Sequence, residues 1–469
     1  MGGAVPPVAR FMEVKAAMTE RSFNLVVPLA HKATAMRTTE TSGSSREWSG
    51  AVLPMIGSSL RGDDVDSTTG PTPVTPGIRT STTATRTTTT RTTSSAPAPS
   101  ADWIPADFSF TELAQAYFDC RRTKRNSASA LAFEEHLEAN LRDLFDDLQA
   151  GTYRPGRSIC FVITRPKPRE VWAAEFRDRI VHHLMYNRIA PAFYARFIAD
   201  SCACIPGRGT LYAAERLEKK VRSITQNWSR PAFYLKCDLA NFFVSIDKTI
   251  LWPLLDQKIA DPWWNQLAHA VLFHDPRQDF EYRGDTALLE RVPPHKRLTS
   301  QPDHMGLPIG NLSSQFFANV FLDVLDQFIK HRIGARYYIR YVDDFVLLHE
   351  SPQWLNSALA DIEAFLPARL HAQLNPTKTI LQPIVRGIDF VGQVIKPWRR
   401  VLRRRTFNDA IHKVATEPLD GLFETANSYY GLLRQASASH QDRADLSNTL
   451  RRRGYTVAGD LTKTYRRHA

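Results

Sequence analysis

The sequence predicts an α+β protein centred on a split β-α-β-β-α-β unit, and three stretches lead there. FYLKCDLANFFVSID (233–247) opens as an apolar strand and delivers Asp238 at its end. GLPIGNLSSQFFANVFLDVLDQFIKH (306–331) starts with a Gly/Pro turn and continues as a long helix, with Phe317, Phe321, Val324, Leu325 and Phe328 on one face. ARYYIRYVDDFVLLHE (335–350) sets Asp343 and Asp344 between two β-branched and aromatic runs, the pattern of a β-hairpin with the acids at its tip. A further helix and the strand IDFVGQVI (388–395) complete the order. In such a unit neighbouring strand ends bring distant acids together, here Asp238 and Asp343.

The elements before this core read in chain order. FTELAQAYFDCRR (110–122) and ALAFEEHLEANLRDLFDDLQAG (130–151) carry apolar residues at helical spacing, the second with a terminal glycine. SICFVITRPKPREVWAAEFRDRIVHHLMYNRIAP (158–191) reads as a short strand, a basic turn and a helix, in which His182 and His183 are structural. The loop CIPGRGT and another helix lead to the Asp238 strand. Residues 256–305, rich in Pro and His, read as an irregular inserted segment. Residues 1–102 include the tract STTATRTTTTRTTSSAPAPS, which has almost no large apolar side chains with which to offset the entropy of ordering, so a disordered tail is expected.

The 469 residues carry a formal net charge of +12. Most of the excess lies at 396–469, where 15 basic face 7 acidic side chains, and clusters such as WRRVLRRR and LRRRGY suit phosphate contacts in a polyanion. Five cysteines, an odd number in a large chain, argue against a disulfide scaffold and for a reducing, cytoplasmic setting. Cys202 and Cys204 lack a second Cys/His pair at zinc spacing. No apolar run is long enough for a signal peptide or membrane span, and Glu13 and Glu20 interrupt a transit-peptide pattern.

Two carboxylates about 6 Å apart at an effective dielectric near 20 repel by roughly 3 kcal/mol, a cost that a bound cation reverses. Asp238 and Asp343 are therefore the expected ligands of two Mg²⁺ ions, with Mn²⁺ able to substitute. Asp344 stands at the periphery and the carbonyl of Leu239 completes the shell. Such a centre suits phosphoryl transfer to a 3′-hydroxyl.

KCDLANFF, GLPIGNLSSQ, RYVDDFVLL, LNPTKTIL and FVGQVI, in that order, resemble successive palm motifs of reverse transcriptases. PKPREVWAAEFRDRIVHH and CIPGRGT resemble the finger motifs that precede them, and NSYYGLLRQASASH a bacterial thumb helix. The resemblance, over about 103–455, implies a right-hand polymerase with a ferredoxin-like palm: fingers at 103–225, palm at 226–396 with an inserted finger segment at 256–305, and a short basic helical thumb at 397–469. It implies an RNA-directed DNA polymerase with an RNA template, a DNA or RNA primer and dNTPs as partners, and no membrane. The 73 residues after Lys396 are fewer than an RNase H or endonuclease domain of ordinary size needs.

Within that family, GNLSSQ (Gly310 to Gln315) is similar to the bacterial diversity-generating retroelement enzymes, which implies a small helical accessory protein. Group II intron enzymes usually have a proline after the serine, and the retron VTG-type signature is replaced by FVGQVIKPWRR. A defence enzyme making untemplated or protein-primed DNA, and a non-catalytic RNA-binding maturase-like protein, are the alternatives. Phe243 matches the family's steric gate against a 2′-hydroxyl, or is a packed core aromatic. Lys167 and Arg169 are candidates for the incoming triphosphate, with Arg165 or Arg177 as alternatives. Lys378 matches a lysine that protonates the leaving pyrophosphate, or is an exposed lysine near a helix end. Ile309, Gly310 and Gln315 line the turn expected against the nascent base pair.

Overall fold

The computed structural model describes residues 106–122, 127–164 and 167–465, so the expected tail at 1–102 lies outside them, as does Arg165. The chain is a mixed helix-and-sheet right hand. The fingers begin with α1 (Phe110–Arg122), opened by a reciprocal cap in which Ser109 Oγ accepts from the Glu112 N–H and Glu112 Oε2 from the Ser109 N–H. The expected second helix divides at His136 (φ −130°, ψ 45°) into α2 (Ala128–Glu134) and α3 (Leu137–Ala150). The latter ends at Gly151, whose φ of 71° is the left-handed conformation glycine adopts without strain.

The basic turn proves to be the tip of an antiparallel hairpin, β1 (Ser158–Ile163) with β2 (Arg169–Ala173), rather than a link from strand to helix. Helices α4 (Phe176–Tyr194) and α5 (Thr210–Ile224) follow, then β3 (Phe233–Asp238), the short α6 (Phe242–Ser245) and α7 (Lys248–Asp256). The segment expected to be irregular contains α8 (Pro262–Phe273), capped by Asp261 and anchored by buried Trp263 and Trp264 against Phe108, with ring centroids 5.1 and 6.1 Å away. It also contains β4 (Phe280–Tyr282), which pairs parallel to β1 and so extends the finger sheet.

The short α9 (Ala287–Glu290) lies beside β1 in the fingers, and the palm comprises, with β3, the long α10 (Leu312–Gln327), β5 (Tyr337–Tyr341), β6 (Asp344–His349), α11 (Pro352–Leu370) and β7 (Ile380–Pro383). Its four strands lie in the order β5-β6-β3-β7, all antiparallel, which is the ferredoxin-like topology. One expectation is corrected here. The fourth strand is Ile380–Pro383, within the LNPTKTIL region, whereas IDFVGQVI forms a separate hairpin of β8 (Ile388–Phe390) and β9 (Gln393–Lys396). β10 (Arg399–Leu402) joins that hairpin in a second three-stranded sheet. A strand pairs only where a free edge meets its backbone donors, and the β3 edge is taken by residues 380–383 before 388 is reached.

Side chains alternate across the palm sheet, so each strand serves two layers. Tyr234, Ile339, Val346 and Leu348 pack with Leu217, Val221 and Ile224 of α5 and with Ile388, Phe390 and Ile395. The opposite face carries Leu235, Phe345 and Leu347, all buried, with α11 packed against β3 and β6. A separate core built on Phe407, Val414, Leu422, Tyr430, Leu446 and Leu450 holds the thumb helices α12 (Arg404–Thr416), α13 (Leu419–Gln435) and α14 (His440–Arg452). No helix among the described residues is long and apolar enough to cross a membrane.

Candidate active site

Asp238 ends β3 and pairs in register with Asp344, the first residue of β6. The two-residue strand period puts both on the sheet face that also carries Lys236, Val346 and Leu348, at the end not covered by α5. Asp343 lies in the turn between β5 and β6, so one end of the sheet collects three carboxylates. Burial, then the charge of Asp238, pushes the Asp343 carboxyl up to about 6, while Lys378 and Arg169 pull it back. Burial likewise pushes Asp344 up to about 6 against the opposing pull of Lys236, whose ammonium is 3.0 Å from Asp344 Oδ2. Asp344 Oδ1 is buried without a hydrogen-bond partner. Lys378 Nζ donates to Asp238 Oδ1 at 2.6 Å.

Leu239 forms a lone antiparallel bridge with Leu374, flanked by the bonds Ala240 N–H to Gln373 O and Asn375 N–H to Asp238 O. In that non-hydrogen-bonded pairing the Leu239 carbonyl points away from Leu374, toward the side on which β6 begins. Crowded carboxylates with raised affinities for protons, an orphaned carboxylate oxygen and a free-facing carbonyl fit a hard divalent cation. Among the described residues no group of three or more His, Cys, Asp or Glu forms a metal cage. A Mg²⁺ site built from one or two carboxylates plus substrate phosphates needs none.

The turn carrying Asp343 is held by a residue that the sequence reading missed. Val342 adopts φ 56°, a left-handed conformation costly for a β-branched side chain. Its carbonyl accepts from Arg340 Nη1 at 2.9 Å. Arg340 is 1% exposed, on the sheet face toward α10, where its guanidinium forks onto Asp326 at 2.8 and 2.6 Å. A charged residue inside the apolar run YYIRY was the available signal.

The turn before α10 is tied to the fingers. Ile309 O accepts from Trp172 N–H at 2.7 Å and Asn311 Oδ1 from Ala174 N–H at 3.1 Å, so this turn docks on β2. Gly310 has φ 130°, and a Cβ there would lie 2.7 Å from the Trp172 carbonyl oxygen, so only glycine fits. Gln315, in the first turn of α10, is exposed. Phe243 is half-buried beside fully packed Phe242, with ring centroids 5.3 Å apart, so it is not a closed core aromatic. Arg169 is exposed and its charge reaches Asp343. Lys167, also exposed, stands at the hairpin tip. Arg177 is drawn elsewhere, pairing with Asp147 and lying over the Tyr153 ring. His182 is buried and its imidazole pushed down to about 3 by that burial, consistent with a structural role.

No curated protein matches this chain. Among solved structures, telomerase from Candida albicans in complex with the TWJ fragment of telomeric RNA is similar at 12% identity and a TM-score of 0.37, over 69% of this chain and 60% of that one. Apo telomerase from Candida tropicalis, truncated from its C-terminal domain, is similar at 12% identity and a TM-score of 0.37, over 51% of this chain and 53% of that one. This chain thus spans little more than half the length of either. Residues 165–395 match the family described as reverse transcriptase (RNA-dependent DNA polymerase). The match begins at the basic finger hairpin and ends in β9, taking in every strand and turn that surrounds the three aspartates, so the chain carries a reverse transcriptase domain.

Proposed function

We propose that the chain copies RNA into DNA by two-metal nucleotidyl transfer and that it is of the diversity-generating retroelement type. The carrying observation is the meeting of Asp238, Asp343 and Asp344 at one open end of the palm sheet, where burial raises the carboxyls of Asp343 and Asp344. Two Mg²⁺ ions on Asp238, Asp343 and the Leu239 carbonyl, with Asp344 peripheral, would make the primer 3′-hydroxyl a better nucleophile and neutralise charge on the leaving pyrophosphate.

The same reading gives the neighbouring residues their roles. Lys378, whose Nζ donates to Asp238, is the donor to the departing pyrophosphate. Arg169, with Lys167 at the hairpin tip, takes the triphosphate oxygens. Phe243 excludes a 2′-hydroxyl, and the Ile309–Gly310 turn with Gln315 supports the nascent base pair. Fingers, palm and thumb are taken as 103–225, 226–396 and 397–469. The retroelement reading adds a cytoplasmic setting and a small helical accessory protein.

The test is to copy a defined RNA with balanced dNTPs, the accessory protein present, and to sequence individual cDNAs. Misincorporation concentrated opposite template adenines is expected, since one missing contact at the base pair is worth about 1 to 3 kcal/mol, or roughly 10- to 200-fold in selectivity. Uniformly low error at all four bases removes the retroelement type. DNA whose sequence does not follow the RNA, or full extension by folded Asp238→Ala or Asp343→Ala protein, removes the templated two-metal reading itself.

A further inference from the structure

The two most exposed large apolar side chains among the described residues, Val385 at 69% and Trp398 at 61%, lie on abutting segments. Lys396 pairs with Arg399, so Pro397 and Trp398 form the two-residue turn between β9 and β10. Val385 lies in the turn Ile384–Arg386 that leads through Gly387 into β8. A Cβ at Gly387 would lie 3.2 Å from Lys396 Cγ, which brings the two segments to the same end of the small sheet.

Trp398 carries two penalties at once. Its φ of 65° is left-handed, a conformation that usually goes to Gly or Asn after a proline and that costs an L-residue strain. Its ring is left in water, so the fold recovers little from it. Arg386, Lys396 and Arg399 flank it, and none of the three forms a salt bridge among the described residues. The carboxylate on β8, Asp389, is taken by Arg403. The middle of β8 reaches the partner of Asp344, the Asp389 carbonyl accepting from Lys236 Nζ at 2.7 Å. At about 3.3 Å per residue, β9 carries the Pro397–Trp398 turn about 13 Å beyond Gly392.

We propose that this end of the sheet binds the unpaired part of the RNA template, one base stacking on Trp398 and Val385 while Arg386, Lys396 and Arg399 hold neighbouring phosphates. A flat indole among unpaired cations matches a base between two phosphates. A duplex, whose bases are already stacked, offers the ring nothing. The proposal rests on the polymerase reading for the identity of the RNA.

Trp398→Gly is the informative variant, because glycine is at home at this φ and the protein should melt no lower than the unaltered chain. Binding is measured for primer–templates with a short overhang and with an extension of about 15 single-stranded nucleotides at either end. The unaltered protein should bind the extended template about tenfold more tightly, and Trp398→Gly should lose that gain while extending short-overhang substrate normally. Replacing Arg386, Lys396 and Arg399 with Ala should reduce the salt dependence of extended-template binding by a slope of about 2. Equal binding of both substrates by the unaltered protein, or retention of the gain by Trp398→Gly, overturns the proposal. The latter is also the result if the patch serves an acidic protein segment. Absence of extension by the unaltered protein counts against the polymerase reading, and is read separately from binding.

Discussion

Arg340 offers the sharpest separation of structure from catalysis. All five guanidinium N–H donors are used: Nε and Nη2 fork onto Asp326, Nη2 also reaches Ser201 Oγ at 2.9 Å, and Nη1 reaches Asn319 Oδ1 at 3.2 Å and the Val342 carbonyl at 2.9 Å. Burial disfavours the guanidinium charge, but Asp326 outweighs it, so Arg340 keeps its proton. Arg340→Met leaves Asp326 buried and uncompensated, still bonded to the Tyr338 hydroxyl at 2.6 Å, and should cost about 3 to 5 kcal/mol; Asp326→Leu should cost a similar amount. The double variant replaces both charges with apolar groups, so its cost should fall well below the sum, with a coupling of about 2 kcal/mol or more. Urea unfolding of the four proteins measures this. Extension should behave differently. With no donor left on its carbonyl, the strained Val342 turn no longer fixes Asp343, and a displacement near 1 Å is enough for a loss of about 100-fold. The double variant should therefore regain stability without regaining extension. Additive destabilisation, or a double variant that extends primers normally, would refute the assignment of Arg340 as the residue that positions the turn.

The raised carboxyls predict a pH signature in chelator. Asp343 and Asp344 keep their protons to about pH 6 when folded but ionise from 3.8 upward when unfolded, so the fold loses stability as pH rises through that window. Asp343→Asn should be more stable than the unaltered protein at pH 8, with the advantage shrinking toward pH 4; a gap independent of pH contradicts the burial argument. Added Mg²⁺ should narrow the gap by stabilising the unaltered protein, and extension should fall below about pH 6 as the acids take up protons. Phe243→Ala should admit ribonucleotides, and unchanged discrimination in a paired dNTP and rNTP assay would dismiss the gate. Gly310→Ala forces a Cβ against the Trp172 carbonyl at a disallowed φ and should cost about 2 kcal/mol or more in a melt while raising the KM for dNTPs; wild-type behaviour would mean that the turn is not tight.

Much of the palm was legible because its signals are local. A strand ending in Asp238, a helix announced by its Gly/Pro turn and apolar periodicity, and an aromatic hairpin around Asp343 and Asp344 each declare themselves within a dozen residues. The helix Pro262–Phe273 was equally local, since Asp261 followed by Pro262 is a helix start, but the surrounding prolines and histidines obscured it.

What sequence left open is what depends on partners far along the chain. Residues 380–383 and 388–395 are both short apolar runs, and only the pairing of β3 with its neighbours decides which completes the palm sheet. Lys378 looks like any exposed lysine until folding brings it across 140 residues to Asp238. Arg340 reads as an outward-facing charge in an apolar strand. Its burial is tolerable only because α10 supplies Asp326 and Asn319, and the loop before α5 supplies Ser201, at the positions its fork requires. Local patterns determine which segments form strands and where their acids fall. The satisfaction of a buried charge is a sum over neighbours that only the assembled tertiary structure defines.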